Sequence, residues 1–599
     1  MARGGPAQEV IAEIVGAGRG AAARPAFGPG EEIRMGPRSL GEARVGDLAT
    51  VVVRGRSARV VRVFGPSRSP GAAMAALLAS EGKGWGFPRA VEREVAAIEE
   101  GDPLADPGRR DLTAQDVVTI DPQGAKDHDD AIAAVPEGPH VRLWVHIADV
   151  AHYVPAGGEV DREAERRGCS VYVPGTVDPM LPARLSSDLC SLRPGVPRRA
   201  VTAEMLVDAA GEVVESRFYR SVIRSERRLT YPEVDAHIAG APLGAAGMEA
   251  TIAAAREAAR RLRARRTGRG ALEIASGEPQ FELGPSGVTG VHIEEQTESH
   301  RLVEDCMIAA NEAVARYLIQ RHRPTLFRHH DDPDGRRVER LYGQLETLGV
   351  ATPPFPERAM APSELREAAG AAGEAVARHL AAGPRRDRAG RSALWYLVLR
   401  SLKQAFYTPD HVTHSGLASA AYLHFTSPIR RYPDLVVHRT LLDALGVGPP
   451  GPGRDDLEVT GFDSSTAERA AADIERRADR VCGALLLEAR LRRDGWEEVF
   501  AGEVTGVIPQ GAFVAFGEAF EGFLPARALS DGDLTVDEYE VALEDRDGRV
   551  VLRVGDPLEV RVLDVEPLRG RTRLERADAP APAGLRRSRA ARRRSRAPR

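Results

Sequence analysis

The residues best able to do chemistry lie in VVTIDPQGAKDHDDAIAAV, from Val117 to Val135. Asp121, Asp127, Asp129 and Asp130 sit between two apolar runs, 117–120 and 131–135, that read as strands. Pro122 and Gly124 mark irregular backbone between the runs. In one continuous strand Asp129 and Asp130 would point to opposite faces. A loop removes that restriction and lets all four carboxylates converge. Groups held so close repel and cannot all stay ionised without compensation. A hard divalent cation supplies it, and carboxylate oxygens are the ligands magnesium and manganese prefer. Two such ions can clamp the attacking and leaving oxygens of a phosphodiester displacement. A solvated acidic loop or a lone calcium site is the alternative, although the EF-hand spacing is absent.

A second candidate is YLHFTSPIRRYPDLVVHR at 422–439. Pro428 can open a helix with Ser427 as its N-cap. The free N–H groups of that helix end, beside Arg430 and Arg431, would make a phosphate site. The alternative is that Arg430 pairs with a structural acid. Further on, residues 499–575 show short strands with turn glycines, a pattern that suggests a small barrel. Phe513, Phe516 and Phe523 could stack bases there, with core packing the alternative for each.

The elements that must position these groups are less sharply marked. At 599 residues the chain is too long for one core and suggests about three to five domains. Residues 1–30, rich in Ala, Gly, Arg and Pro, read as a flexible N-terminus. Residues 31–110 read as a cold-shock or OB-like barrel with a linker and a helix from Arg89 to Glu100. The central block mixes strands and helices. Within it, HRLVEDCMIAANEAVARYLIQ at 300–320 is an amphipathic helix, with Glu304, Asp305 and Asn311 away from its apolar stripe. A long charged helix follows at 464–494, and a basic tail at 578–599 carries Arg586, Arg587, Arg589, Arg592, Arg593, Arg594, Arg596 and Arg599. That tail leaves the body more acidic than the net charge of −5.

With 43% hydrophobic and 28% charged residues, neither global disorder nor a membrane class is indicated. No apolar run approaches the ~20 residues of a membrane helix, and the N-terminus lacks a signal-peptide core. A cytoplasmic location is expected. Four scattered cysteines argue against a zinc knuckle or a disulfide framework.

Six collinear stretches then resemble the ribonuclease II/R family, and its ribonuclease R side most. They are TIDPQGAKDHDDAI, HIADVAHYVPAGGEVDREAERRGCSVYVP, PMLPARLSSDLCSL, RLTYPEV, HRLVEDCMIAANEAVARYL and HFTSPIRRYPDLVVHR. The resemblance covers about 111–575 and implies a multidomain protein. Its expected parts are an α+β RNB catalytic domain at 111–460 with a helical end at 461–498, flanked by OB-type barrels, the C-terminal one an S1 domain at 499–577.

The implied activity is processive 3′-to-5′ hydrolysis of single-stranded RNA to nucleoside 5′-monophosphates, in RNA decay and quality control. A monomer acting on RNA 3′ ends is expected. The resemblance also implies two magnesium ions, replaceable by manganese, on Asp121, Asp127 and Asp130, with Asp129 stabilising the reacting phosphate. It gives Arg430 the phosphate near the scissile bond, Tyr172 a base-stacking clamp, Tyr231 the terminal nucleotide and Glu304 its sugar. Three departures stand out: Ile274 occupies the second clamp position, His128 lies where the family often has an apolar residue, and the N-terminal region has room for one barrel. An RNB-fold RNA-binding regulator without catalysis and an endoribonuclease are the rival functions.

Overall fold

The computed structural model describes residues 8–17, 20–54, 57–272, 277–284, 287–356, 358–382 and 391–577. Ile274 and the basic tail therefore lie outside the described residues. The N-terminal unit pairs β1 (Gln8–Ala17), β2 (Gly20–Pro25), β3 (Ile33–Met35), β4 (Asp47–Arg54) and β5 (Ser57–Pro66) in the order β3-β2-β1-β4-β5. Helix α1 (Pro70–Ser80) packs beneath it. Among the described residues the expected flexible 1–30 segment is overturned: β1 and β2 fill 8–17 and 20–25, and the sheet begins there instead of at 31. The physical reason is side-chain size. Ala12, Ala21, Ala22 and Ala23 are buried, so alanines that read as low complexity pack the sheet's small core beside Ile14, Met35 and Val51.

The central domain is organised around one sheet. Its strands are β6 (Arg110–Asp111), β7 (Val117–Asp121), β8 (Asp130–Glu137) and β9 (His140–Ala148), then β12 (Pro197–Val207) and β13 (Val213–Thr230), with a separate small hairpin, β10 (Val171–Val173) and β11 (Thr176–Asp178), between them in sequence. The order is β12-β9-β8-β7-β13-β6, and β12 also pairs with β13, so the ladder turns back on itself. Both faces are buried. Val118, Ile132 and Leu143 join one core, which includes residues of α2 (Ala246–Gly268) and α3 (Glu298–Gln320). Val117, Ala131 and Ala133 join the other, with Leu435 and Val436 of α4 (Tyr432–Ala444). Successive residues on opposite faces, both apolar, explain why these strands read as continuous hydrophobic runs.

A 41-residue helix, α5 (Arg454–Asp494), leads to the C-terminal barrel and begins ten residues before the expected start. Asp455 and Asp456 occupy its first turn and Arg492 and Arg493 its last, each complementing the helix dipole. Gly495, at φ 107°, ends it. The barrel closes through Val499–Ile508, Gly511–Phe516, Phe520–Pro525, Arg571–Arg576 and Pro557–Glu566. No helix among the described residues is long and apolar enough to cross a membrane.

Candidate active site

The four aspartates sit where β7 ends and β8 begins: Asp121 is the last residue of β7 and Asp130 the first of β8. The intervening loop is pinned from a distant stretch. Ser191 Oγ donates to the Lys126 carbonyl (2.8 Å) and accepts from the His128 N–H (3.1 Å), while the Leu192 N–H donates to the His128 carbonyl (3.0 Å). The Ala148 N–H holds the Asp129 carbonyl at 2.9 Å. These ties turn Asp129 inward, where it is 4% exposed.

Each carboxylate then has a different environment. Asp129 Oδ1 accepts from the Ile429 N–H at 2.8 Å, and its Oδ2 lies 3.6 Å from Arg430 Nε. Burial pushes Asp129 well above the usual carboxylate range, against the opposing pull of Arg430 and the Ile429 N–H, with Asp127 and Asp130 adding to the rise. Burial, then the charge of Asp121, raises Asp130 to about 7, although part of its surface remains accessible. Asp127 Oδ2 accepts from the Tyr172 hydroxyl at 2.8 Å. Asp121 Oδ2 lies 2.9 Å from His128 Nδ1, yet both atoms are buried without an aligned hydrogen-bond partner, as is Asp129 Oδ2.

The turn carrying Arg430 differs from expectation. The helix starts at Tyr432, with Arg431 at its N-cap, so Ser427 does not cap it and no helix N-terminus forms at Ile429. Residues 427–430 make a turn instead, and one of its N–H groups is spent on Asp129. The two arginines divide their work. Arg431 is tied to buried Asp434 at 2.8 and 2.7 Å, whereas Arg430 is 45% exposed and reaches across Asp129 and to Ser427 Oγ. The structural pairing weighed for Arg430 thus belongs chiefly to its neighbour.

Strand register places the tyrosines. The parallel ladder sets Thr230 opposite Asp121, so Tyr231, the next residue, emerges beside the aspartates. Burial and the charges of Asp130 and Asp121 hold its phenol above the usual range. One ring face is covered by His300, stacked with centroids 3.8 Å apart. Glu304 lies one turn further along α3 from His300 and is exposed; its charged neighbours are Arg266, Asp305, Arg263 and Arg301, not the aspartates. Tyr172, 37% exposed, projects from the β10–β11 hairpin.

Two expectations need correction. Phe516 is 3% exposed and packs edge-on against Phe500, so it cannot stack bases, whereas Phe513 is 39% exposed beside Phe523. Asp305 and Asn311 are buried, Asp305 between Arg263 and Arg266, and Asn311 bridging Tyr422 and the Phe425 N–H. Sequence reasoning missed Ser191, His300 and Glu475, whose side chain accepts the Tyr172 N–H at 2.8 Å. Ser191 lies inside PMLPARLSSDLCSL, so a signal existed; Glu475 is one of many charges on α5 and had none.

Comparison with known proteins decides the family. Residues 109–446 match the RNB domain and residues 494–577 the S1 RNA binding domain. Ribonuclease R of Aquifex aeolicus (strain VF5) is 35% identical over 538 residues, covering 86% of this chain and 72% of that protein. The chain belongs to the ribonuclease R family. These are hydrolases that remove nucleotides from RNA 3′ ends. Ribonuclease R of Escherichia coli (strain K12) is 34% identical over 556 residues, covering 89% of this chain and 66% of that relative. Mycoplasma genitalium RNase R, solved in complex with ribose methylated single-stranded RNA, superposes with a TM-score of 0.82 at 23% identity, over 95% of this chain and 89% of that one.

The donor set suits a hard divalent cation: oxygen atoms only, on several carboxylates, with buried Asp121 Oδ2 and Asp129 Oδ2 lacking aligned partners. Among the described residues, no three His, Cys, Asp or Glu side chains converge on one point as they stand. Asp127 faces Tyr172 and Asp121 faces His128 instead.

Proposed function

We propose that this ribonuclease R relative degrades single-stranded RNA processively from its 3′ end, releasing nucleoside 5′-monophosphates, with two magnesium ions bound at the aspartate loop. Asp121, Asp127 and Asp130 would hold the ions. When bound, they would supply Lewis-acid polarisation of the phosphate and a more acidic water, and manganese would serve in their place. The observation that carries this reading is the rise of Asp129 and Asp130, driven by burial and by neighbouring acids, with Asp121 Oδ2 and Asp129 Oδ2 buried without an aligned hydrogen-bond partner.

The chain's own groups do the rest. Arg430, exposed and unburdened by the Asp434 pairing of its neighbour, offsets charge developing on the phosphoryl oxygens. Asp129, fixed by the Ile429 N–H, holds that guanidinium in place beside the reacting phosphate. Tyr172 supplies a face for the last bases, and Tyr231 fixes the terminal nucleotide beside Asp121. The position of Glu304, one turn from the His300 that stacks on Tyr231, supports its contact with the sugar. Phe513 supplies a stacking surface on the S1 barrel.

Labelled single-stranded RNA incubated with magnesium should shorten to mononucleotides and a small terminal core, and chelator should stop it. Asp129→Asn should bind RNA yet cut it about 10³-fold more slowly. Internal fragments would instead establish an endonuclease. Intact RNA under every condition would leave a binding protein with the RNB fold.

A further inference from the structure

A phenylalanine would stack on a base as well as a tyrosine does, so the hydroxyl of Tyr172 needs its own explanation. That hydroxyl donates to Asp127 Oδ2 at 2.8 Å. It occupies one oxygen and restrains the rotation of the carboxylate.

The hairpin bearing Tyr172 is itself held with little play. Gly168, at φ 70°, brings the chain so close to α5 that a Cβ there would stand 2.4 Å from that of Ala467. Three residues on, the β10–β11 hairpin begins, and Glu475 of α5 accepts the Tyr172 N–H at 2.8 Å. Opposite Val171, Asp178 is anchored by Arg167 (3.2 Å) and accepts from the Gly84 N–H (3.1 Å). A rigid helix thus fixes a hairpin, and the hairpin fixes a carboxylate.

We infer that Tyr172 is a positioning residue for cation binding as well as a stacking surface: its hydroxyl orients Asp127, and Glu475 sets the backbone from which it does so. This rests on the reading of Asp127 as a metal ligand. Groups that orient metal ligands commonly change affinity 10- to 100-fold when removed.

The test is manganese binding to the full-length protein after chelator treatment and dialysis, measured by calorimetry, alongside affinity for a short oligo(A) in chelator. Tyr172→Phe should bind manganese about 10-fold more weakly with its melting temperature unchanged. Glu475→Ala should shift manganese affinity in the same direction. Glu475→Gln should restore it, because the amide oxygen still accepts the N–H. Unchanged manganese affinity in Tyr172→Phe overturns the inference, and so does an equal loss of oligo(A) affinity, which would mean the hairpin had merely moved. Failure of the unaltered protein to bind manganese would sink the metal reading itself, and the inference with it.

Discussion

Two groups of carboxylates are buried in the central domain, and they are treated in opposite ways. Asp149, fully buried, accepts from Arg109 Nη2 at 2.7 Å and lies 3.0 Å from Arg220 Nε. Burial alone would raise it, but the two guanidinium groups hold it below the usual carboxylate value. At the aspartate loop the same burial is met by further acids, only partly offset by Arg430 and, for Asp130, by His128 and Arg431, and Asp129 and Asp130 rise. The first group is a finished structural joint. The second carries more negative charge than the chain neutralises, which a fold tolerates where a cation or a reacting phosphate completes the balance.

The largest effect should come from breaking the finished joint. Asp149→Asn leaves Arg109 and Arg220 without that charge and should destabilise the domain by about 3 kcal/mol in denaturant titrations at pH 7. The sign follows from the depressed pKa. The stabilisation is complete above the ordinary aspartate range and fades only as pH falls through the folded-state value. Equal stability of variant and parent at pH 7 would erase the contrast between the two groups.

Asp130→Asn should do the reverse. In chelator at pH 8 it should stabilise the protein by about 1 kcal/mol, because ionising Asp130 against its raised value of about 7 penalises the folded state. The gain should vanish near pH 4, where the parent side chain is protonated in the fold. Adding magnesium should raise the melting temperature of the parent and do less for the variant, since a ligand stabilises only the state that binds it. A variant less stable than the parent in chelator would show that the loop is charge-balanced already.

The same difference explains what could be read in advance. The aspartates and Arg430 stand out by type and spacing, whereas Tyr172, Tyr231 and Glu304 are singled out by the collinear resemblance. In the fold Asp127 meets Tyr172, Asp129 meets Arg430 and Tyr231 emerges beside Asp121, while Glu304 sits among other charges. The partners that hold them were not legible. Glu475 lies 303 residues from Tyr172, and Ser191 lies 63 from His128, so only the folded chain pairs them. Alanine-rich β2 (GAAARP) defeated a pattern that expects β-branched strands, and a helix assigned to Pro428 gave way to a turn whose Ile429 N–H is spent on Asp129. Phe513 and Phe516 are three residues apart on one strand, yet one is exposed and the other buried, which composition cannot separate.

The smallest predicted effect tests whether uncompensated acid extends beyond the loop. On α5, burial and then the charges of Glu278 and Glu475 raise Asp479 to about 6. A raised carboxylate weakens the fold as pH climbs from the unfolded value through the folded one, and the penalty is complete above it. Asp479 is half-exposed, so solvent screening cuts the penalty to about 1 kcal/mol. Asp479→Asn should therefore melt about 2 °C higher at pH 7.5 and no higher at pH 4. Because Glu475 holds the Tyr172 N–H, relieving its acidic neighbour should leave RNA cleavage intact, which separates this charge from the ones the chemistry uses. A loss of cleavage in Asp479→Asn would instead extend the working acidic surface from the aspartate loop onto the long helix.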